Sequence, residues 1–295
     1  MIHLIDLHFL GYAKAIASFL IETAEGPVLV ETGPHSTLKA LAEGVLRAGY
    51  QLEDIQHVFL THIHLDHAGA SWAFARHGAK IYVHPAGAPH LADPSKLMDS
   101  ARRIYLDQMD ALWGEMQPIP AAQLVTVNHQ ESFQIGGKTL VAHHTPGHAV
   151  HHIAWQLDNA LFTGDVAGVR IMQGPVAPPC PPPDINLEDW LHSLALIEKL
   201  PVSVYYLTHF GPVTETATHL HDLKERLQAW AQWIRPKVLE QADPKAITPE
   251  FQQFVKEELL SKGISANDIA VYEAANPSWM SVAGLMRYWK KKGIA

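Results

Sequence analysis

The segment Thr61-His62-Ile63-His64-Leu65-Asp66-His67 constrains this chain more than any other stretch. Three imidazoles and one carboxylate within six positions fill a core badly. Buried and unpaired, each carries a desolvation cost, so the cluster requires either water or a cation. Histidines at i and i+2 followed by an Asp-His pair suit a tight loop better than a helix. In a loop their side chains can converge on two neighbouring points. Imidazole together with carboxylate favours zinc, with iron or manganese as competitors. The bland alternative is a histidine-rich surface loop, but chance and packing explain this spacing poorly.

The flanks place the segment. His57-Val58-Phe59-Leu60 reads as a short buried strand, and Ala68 to Arg76 as a helix stopped by Gly78. Strand, loop, helix is the arrangement that puts chemistry at the carboxyl end of a sheet. In that setting His62-x-His64-x-Asp66-His67 resembles the signature of the metallo-β-lactamase-fold hydrolases. The resemblance covers about residues 1–212. It implies an α/β (α+β) fold, a four-layer αββα sandwich, over a catalytic domain at 1–212. A C-terminal helical extension is expected at 213–295.

Position by position, the resemblance implies a ligand set. His62, His64 and His148 match the first metal position, Asp66, His67 and His209 the second, and Asp165 the carboxylate between them. His143, His144, His151 and His152 are rivals for the role of His148, which the preceding Pro146-Gly147 favours. A recurrence in the sequence supports the set independently. Val58-Phe59-Leu60-Thr61 precedes His62, Leu161-Phe162-Thr163-Gly164 precedes Asp165, and Tyr205-Tyr206-Leu207-Thr208 precedes His209. Three apolar strands each deliver a ligand type just beyond a threonine. Glu31-Thr32-Gly33 stands where the family usually has Asp-Thr-Gly, whose acid braces the ligand loop.

The cofactors so implied are two divalent metal ions, zinc first and iron or manganese after it. The activity implied is hydrolysis of an ester, thioester or lactone-type small molecule by a metal-bridging hydroxide, with Asp66 orienting it or relaying a proton. One alternative is a persulfide dioxygenase-like oxidoreductase holding a single iron at His62, His148 and Asp165. Another is a non-catalytic ligand-binding or signalling protein on the same fold. Cys180 lies in a proline loop with no evident base, a poor setting for a nucleophile.

Composition bounds the rest. With 47% apolar and 18% charged residues, the 295-residue chain can bury a sizeable core. A formal charge of -8 speaks against nucleic-acid binding, which needs clustered Lys and Arg. A single cysteine excludes an internal disulfide and fits a reducing compartment. The start lacks the pattern of a signal peptide, and no stretch reaches the roughly 20 apolar residues of a membrane span. The expectation is a cytoplasmic protein without nucleic-acid or membrane partners, acting on a small molecule.

Two regions stand apart. Over 88–117, Leu97, Ala101, Ile104, Tyr105, Gln108, Met109, Leu112 and Met116 recur at helical spacing, which predicts an amphipathic helix. It is either a lid over the site or an ordinary helix packed on the sheet. Beyond Pro212 the pattern turns helical: one helix ending or kinking near Pro236, a second capped at Thr248, then helices over 265–276 and 278–291. The tail either packs beside the metal mouth or forms a homodimer contact. His219 and His221 read as partly exposed residues on the first of these helices.

Overall fold

Short apolar and β-branched runs build two six-stranded sheets in the computed structural model, which describes residues 1–294. The first contains β1 (Ile2–Asp6), β2 (Ala17–Ile21), β3 (Val28–Val30), β4 (His57–Phe59), β5 (Lys80–Val83) and β6 (Leu124–Thr126), side by side in that order. The pairings from β3 to β6 are parallel. The second contains β7 (Ser132–Ile135), β8 (Lys138–His144), β9 (Ile153–Leu157), β10 (Ala160–Gly164), β11 (Val204–Leu207) and β12 (Gly211–Val213), again in sequence order. Only β10 and β11 pair in parallel there.

Helices cover the outer faces. They are α1 (Leu38–Arg47), α2 (Leu65–Ala68), α3 (Ser71–Arg76), α4 (Ala88–Ala92), α5 (Ser95–Tyr105), α6 (Met109–Leu112) and α7 (Leu187–Ile197). The C-terminal group is α8 (Thr216–Leu239), α9 (Pro244–Ser261), α10 (Ala266–Ala275) and α11 (Ser278–Lys291). The layers follow from burial. β2, β3 and β10 are buried along their whole length, which explains why they read as apolar runs without alternation. Phe19, Phe59, Trp155 and Phe162 fill the space between the sheets. Trp155 stands edge-on to Phe59 with ring centres 4.8 Å apart, and its indole N–H donates to Leu60 O at 2.9 Å. That bond ties the second sheet to the end of β4, directly before the histidine segment.

The chain is thus an αββα sandwich with C-terminal helices. Several local expectations are corrected. His62 and His64 lie in a loop, but Asp66 and His67 sit on the single turn α2, and the helix expected from Ala68 is divided into α2 and α3. Residues 88–117 do not form one helix: Pro94 opens α5, and Leu106, in left-handed backbone (φ 49°), ends it before α6. β12 went unread because Gly211-Pro212-Val213 carries a proline, and β12 is an edge strand, where a missing N–H is tolerated. α8 runs through Pro236, which is exposed, as is Gln232, the residue whose carbonyl the proline cannot bond. α9 begins at Pro244, where Asp243 caps it through the Lys245 N–H, well before Thr248. Among the described residues no helix is long and apolar enough to cross a membrane.

Candidate metal centre

The strand ends deliver the polar residues to one place. β4 ends before Thr61-His62, β10 before Asp165, and β11 before Thr208-His209, so three neighbouring strand termini open on the same edge of the sandwich. His148 arrives on the loop between β8 and β9, and α2 contributes Asp66 and His67. All seven expected residues are brought together.

They form three overlapping groups, the middle one joining His62 and His67 with Asp165. His62 Nε2 and His148 Nε2 lie 2.9 and 3.0 Å from His64 Nδ1, and these three atoms form one candidate ligand set. Ring nitrogens around a tetrahedral zinc are spaced by about 3.3 Å, so the convergence matches a metal-sized point. Asp66, His67 and His209 form a second set, with Asp66 Oδ2 3.6 and 3.5 Å from the two imidazole Nε2 atoms. Asp165 lies between them. Its Oδ2 is 3.3 Å from His148 Nε2, while its Oδ1 is 3.3 Å from His67 Nε2 and 3.4 Å from His209 Nε2. One carboxylate therefore faces both halves.

Outer contacts fix which nitrogen each ring presents. His148 Nδ1 donates to Pro179 O and His209 Nδ1 to Ala15 O, both at 2.8 Å, leaving each Nε2 as a lone pair aimed inward. The Thr61 hydroxyl bonds His62 Nδ1 at 3.0 Å. Glu31 is fully buried; its Oε1 accepts the Thr61 N–H at 3.1 Å and its Oε2 faces His67 Nδ1 at 3.3 Å. The extra methylene, on a left-handed backbone (φ 67°), thus lets one carboxylate reach both the loop and a ring.

The surroundings favour a cation. His67 Nε2, His209 Nε2 and Asp165 Oδ1 are buried without a hydrogen-bond partner, as are His67 Nδ1 and Glu31 Oε2. Each such atom costs about 1–3 kcal/mol unless something binds it. Burial, then repulsion from neighbouring imidazoles, holds His62 and His64 well below the ordinary histidine range, so both stay neutral. Burial would raise the Asp165 pKa, but His67, His148 and His209 outweigh it and pull it well below the usual value. Burial likewise opposes a proton on His67, yet Asp165, Asp66 and Glu31 raise its pKa well above normal. Against the effect of burial, Asp165 and Asp66 also raise the His209 pKa. The carboxylates thus draw positive charge to the His67 and His209 side of the centre, while His62 and His64 stay neutral as metal ligands must. The residues present therefore fit divalent metal.

The rival histidines do other things. His152 Nε2 accepts the Asp165 backbone N–H at 3.2 Å while Nδ1 donates to the Thr145 hydroxyl at 2.8 Å, so it positions the shared carboxylate. Nothing in the amino-acid sequence signals this role beyond its closeness to His148. Gly164, in left-handed backbone (φ 49°), permits that approach: a Cβ there would lie 2.7 Å from His152 Nε2. His143 bonds Gln156 and His144 bonds Val127 O; neither they nor His151 join a candidate ligand set among the described residues. His219 corrects its reading as a half-exposed residue. It is 3% exposed, and its Nε2 donates to Ala167 O at 2.7 Å, bracing the turn after Asp165.

The centre opens on a cavity of about 370 Å³. His64, Asp66, His148 and Asp165 form its floor. Its walls are apolar and come from α5 and α6, the proline loop, and the α10–α11 turn with Trp279 and Met280. Tyr105, Ile104 and Leu112 line it, whereas Met109 is absent from the lining and buried in the core. Arg102 is outside on solvent, paired with Asp99. Burial pushes the Cys180 thiol up, so it is no thiolate nucleophile.

Known proteins resemble this chain in sequence and in fold. A metallo-beta-lactamase fold-containing protein of Sulfurisphaera tokodaii is 30% identical over 180 residues, 60% of this chain and 68% of its own length. An atrochrysone carboxyl ACP thioesterase of Aspergillus fumigatus is 27% identical over 206 residues, 69% of this chain; the chain spans only 39% of that enzyme's length. A crystal structure of a metallo-beta-lactamase family protein from Thermus thermophilus superposes with a TM-score of 0.70 at 21% identity, covering 99% of this chain and 94% of that one. That likeness of fold extends through the C-terminal helices. The model of the metallo-beta-lactamase superfamily matches residues 11–209, a span that contains every residue of the centre, and the chain belongs to that superfamily.

Proposed function

We propose that the chain is a hydrolase that holds two divalent ions, zinc first, and cleaves an ester, thioester or lactone-type bond in a small molecule with an apolar acyl part. The observation that carries this reading is the joining of two ligand sets, facing one shared carboxylate, to the floor of an apolar cavity. In this reading His62, His64 and His148 would hold one ion, Asp66, His67 and His209 would hold the other, and Asp165 would serve both. Bound divalent ions would lower the pKa of a water toward neutrality and polarise a carbonyl. The rest falls to the chain. Asp66, with its pKa drawn down to about 2 by His67 and His209 against the effect of burial, is ionised at neutral pH. It accepts a proton bond from the attacking water and orients it. Tyr105 shares the cavity with Asp66, and burial together with that carboxylate raises its pKa, so the phenol remains a donor for the substrate's carbonyl oxygen. The walls from α5, α6 and the α10–α11 turn exclude bulk water around the acyl group. The thioesterase likeness, at 27% identity over part of each chain, supports the thioester member of this class loosely.

The test is a panel of acyl thioesters, esters and lactones assayed with zinc-loaded protein. Chelator-sensitive release of thiol, alcohol or hydroxy acid is expected. A protein carrying two ions that turns over no member of the panel would overturn the hydrolase reading.

A further inference from the structure

In Pro178-Pro179-Cys180-Pro181-Pro182-Pro183 only Cys180 carries a backbone N–H, so no strand ladder can hold the segment. Yet residues 178–180 are buried, and buried backbone groups need partners. The C-terminal segment supplies them. Asn276 Nδ2 donates to Pro178 O at 3.3 Å, and the single N–H, on Cys180, donates to Ser281 Oγ at 3.4 Å. Arg287 Nε and Lys291 Nζ donate to Pro183 O at 3.3 and 2.9 Å. Between these anchors α11 presses directly on the segment: a Cβ on Gly284 would lie 1.9 Å from the Cys180 carbonyl oxygen. One carbonyl in the middle, Pro179 O, is turned the other way and accepts from His148 Nδ1 at 2.8 Å.

We infer that the C-terminal helices are a positioning element of the metal centre: by gripping residues 178–183 they fix the Pro179 carbonyl, which sets the tautomer and ring orientation of His148. Asn276, Ser281 and Gly284 thus act on a ligand they do not touch. They lie outside residues 11–209, the span shared with the family model. The inference rests on His148 being a metal ligand and is independent of which substrate is cleaved.

The full chain is titrated with zinc against a chromophoric chelator and with cobalt(II) by absorption, comparing wild type with Ser281→Ala and Gly284→Ala. Loss of an outer partner of a ligating histidine weakens metal binding by about 10- to 100-fold. Because both variants displace Pro179 O rather than remove it, a weakening bounded by that loss is expected at the first ion, with an altered cobalt spectrum and an unchanged second affinity. Lys292→Ala, which breaks the 2.7 Å tie of the same helix end to Glu188 rather than its grip on the proline segment, leaves both affinities as in wild type. Folded variants that bind the first ion as wild type does, with the same cobalt spectrum, would overturn the inference. If Gly284→Ala does not fold, Ser281→Ala decides the matter alone. A wild type that binds no ion would instead overturn the ligand role of His148, and the inference with it.

Discussion

Glu31→Gln is the sharpest test of how the second ligand set is prepared. The substitution changes neither length nor shape, and the residue is fully buried, so solvent cannot compensate. The side chain has two appointments: the Thr61 N–H at 3.1 Å and His67 Nδ1 at 3.3 Å. A carboxylate can accept at both; here the first is a hydrogen bond and the second a close approach that a donating Nδ1 would complete. An amide must put its oxygen on Thr61 N, since that partner can only donate, and so turns its NH2 toward His67. His67 Nδ1 then accepts, and the ring's proton moves to Nε2, the atom that faces Asp165. A protonated ring nitrogen cannot ligate. The expected loss is that of an outer-shell partner, about 10- to 100-fold in affinity for the second ion, or about 1.4–2.8 kcal/mol. Because the bond to Thr61 persists, the metal-free fold should lose only about 0.5–1.5 kcal/mol. Stepwise zinc titration against a competing chelator reads the first quantity, and thermal melting of the metal-free protein reads the second. A folded Glu31→Gln variant that binds its second ion as wild type does would refute the argument.

Asp165→Ala removes the one carboxylate facing both sets, and metal analysis should find both ions depleted and activity lost; full occupancy would place the shared ligand elsewhere. Leu112→Ser should raise KM for apolar substrates with kcat unchanged, because Leu112 lines the cavity. Met109→Ser should leave KM alone and lower the melting temperature, since Met109 is buried in the core, where truncation costs about 2–5 kcal/mol. His219 gives a pH dependence. Burial depresses its pKa to about 4 from 6.5, so the unfolded chain binds more protons between those values. Its contribution to stability is present above pH 6.5 and is lost as pH falls toward 4. In metal-free protein His219→Gln should therefore show a shallower fall in melting temperature across that window.

The sequence was most readable where chemistry is local. His62, His64, Asp66 and His67 lie within one turn of chain, and the strands before Asp165 and His209 carry the same apolar-then-threonine cue. The sandwich was legible because its inner strands are buried on both faces and leave plain apolar runs. What escaped depends on partners distant in sequence. His152 is chemically identical to His148, and their roles separate only in their contacts: His152 Nε2 meets the Asp165 N–H at 3.2 Å, whereas His148 Nε2 meets His64 Nδ1 at 3.0 Å. The helical spacing over 88–117 is real, but periodicity cannot register a single left-handed residue at Leu106, and so it merged Leu112, which lines the cavity, with Met109, which does not. The proline segment offers no periodic signal at all, because its fold is dictated by acceptors and donors about a hundred residues away on α11 and the turn before it. Asp243 capped α9 ahead of Thr248 because helix starts compete locally, and tertiary packing chooses among them.

Seven side chains that hold two divalent ions around one shared carboxylate would fix the metal content of the protein. Elemental analysis of the full chain, purified without added metal and then titrated with zinc to saturation, tests it directly. Zinc is expected as the resident element, with saturation at about two ions per chain, because seven candidate ligands exceed what one tetrahedral ion needs. A single iron per chain, unchanged by supplementation and accompanied by oxygen consumption, would contradict that expectation.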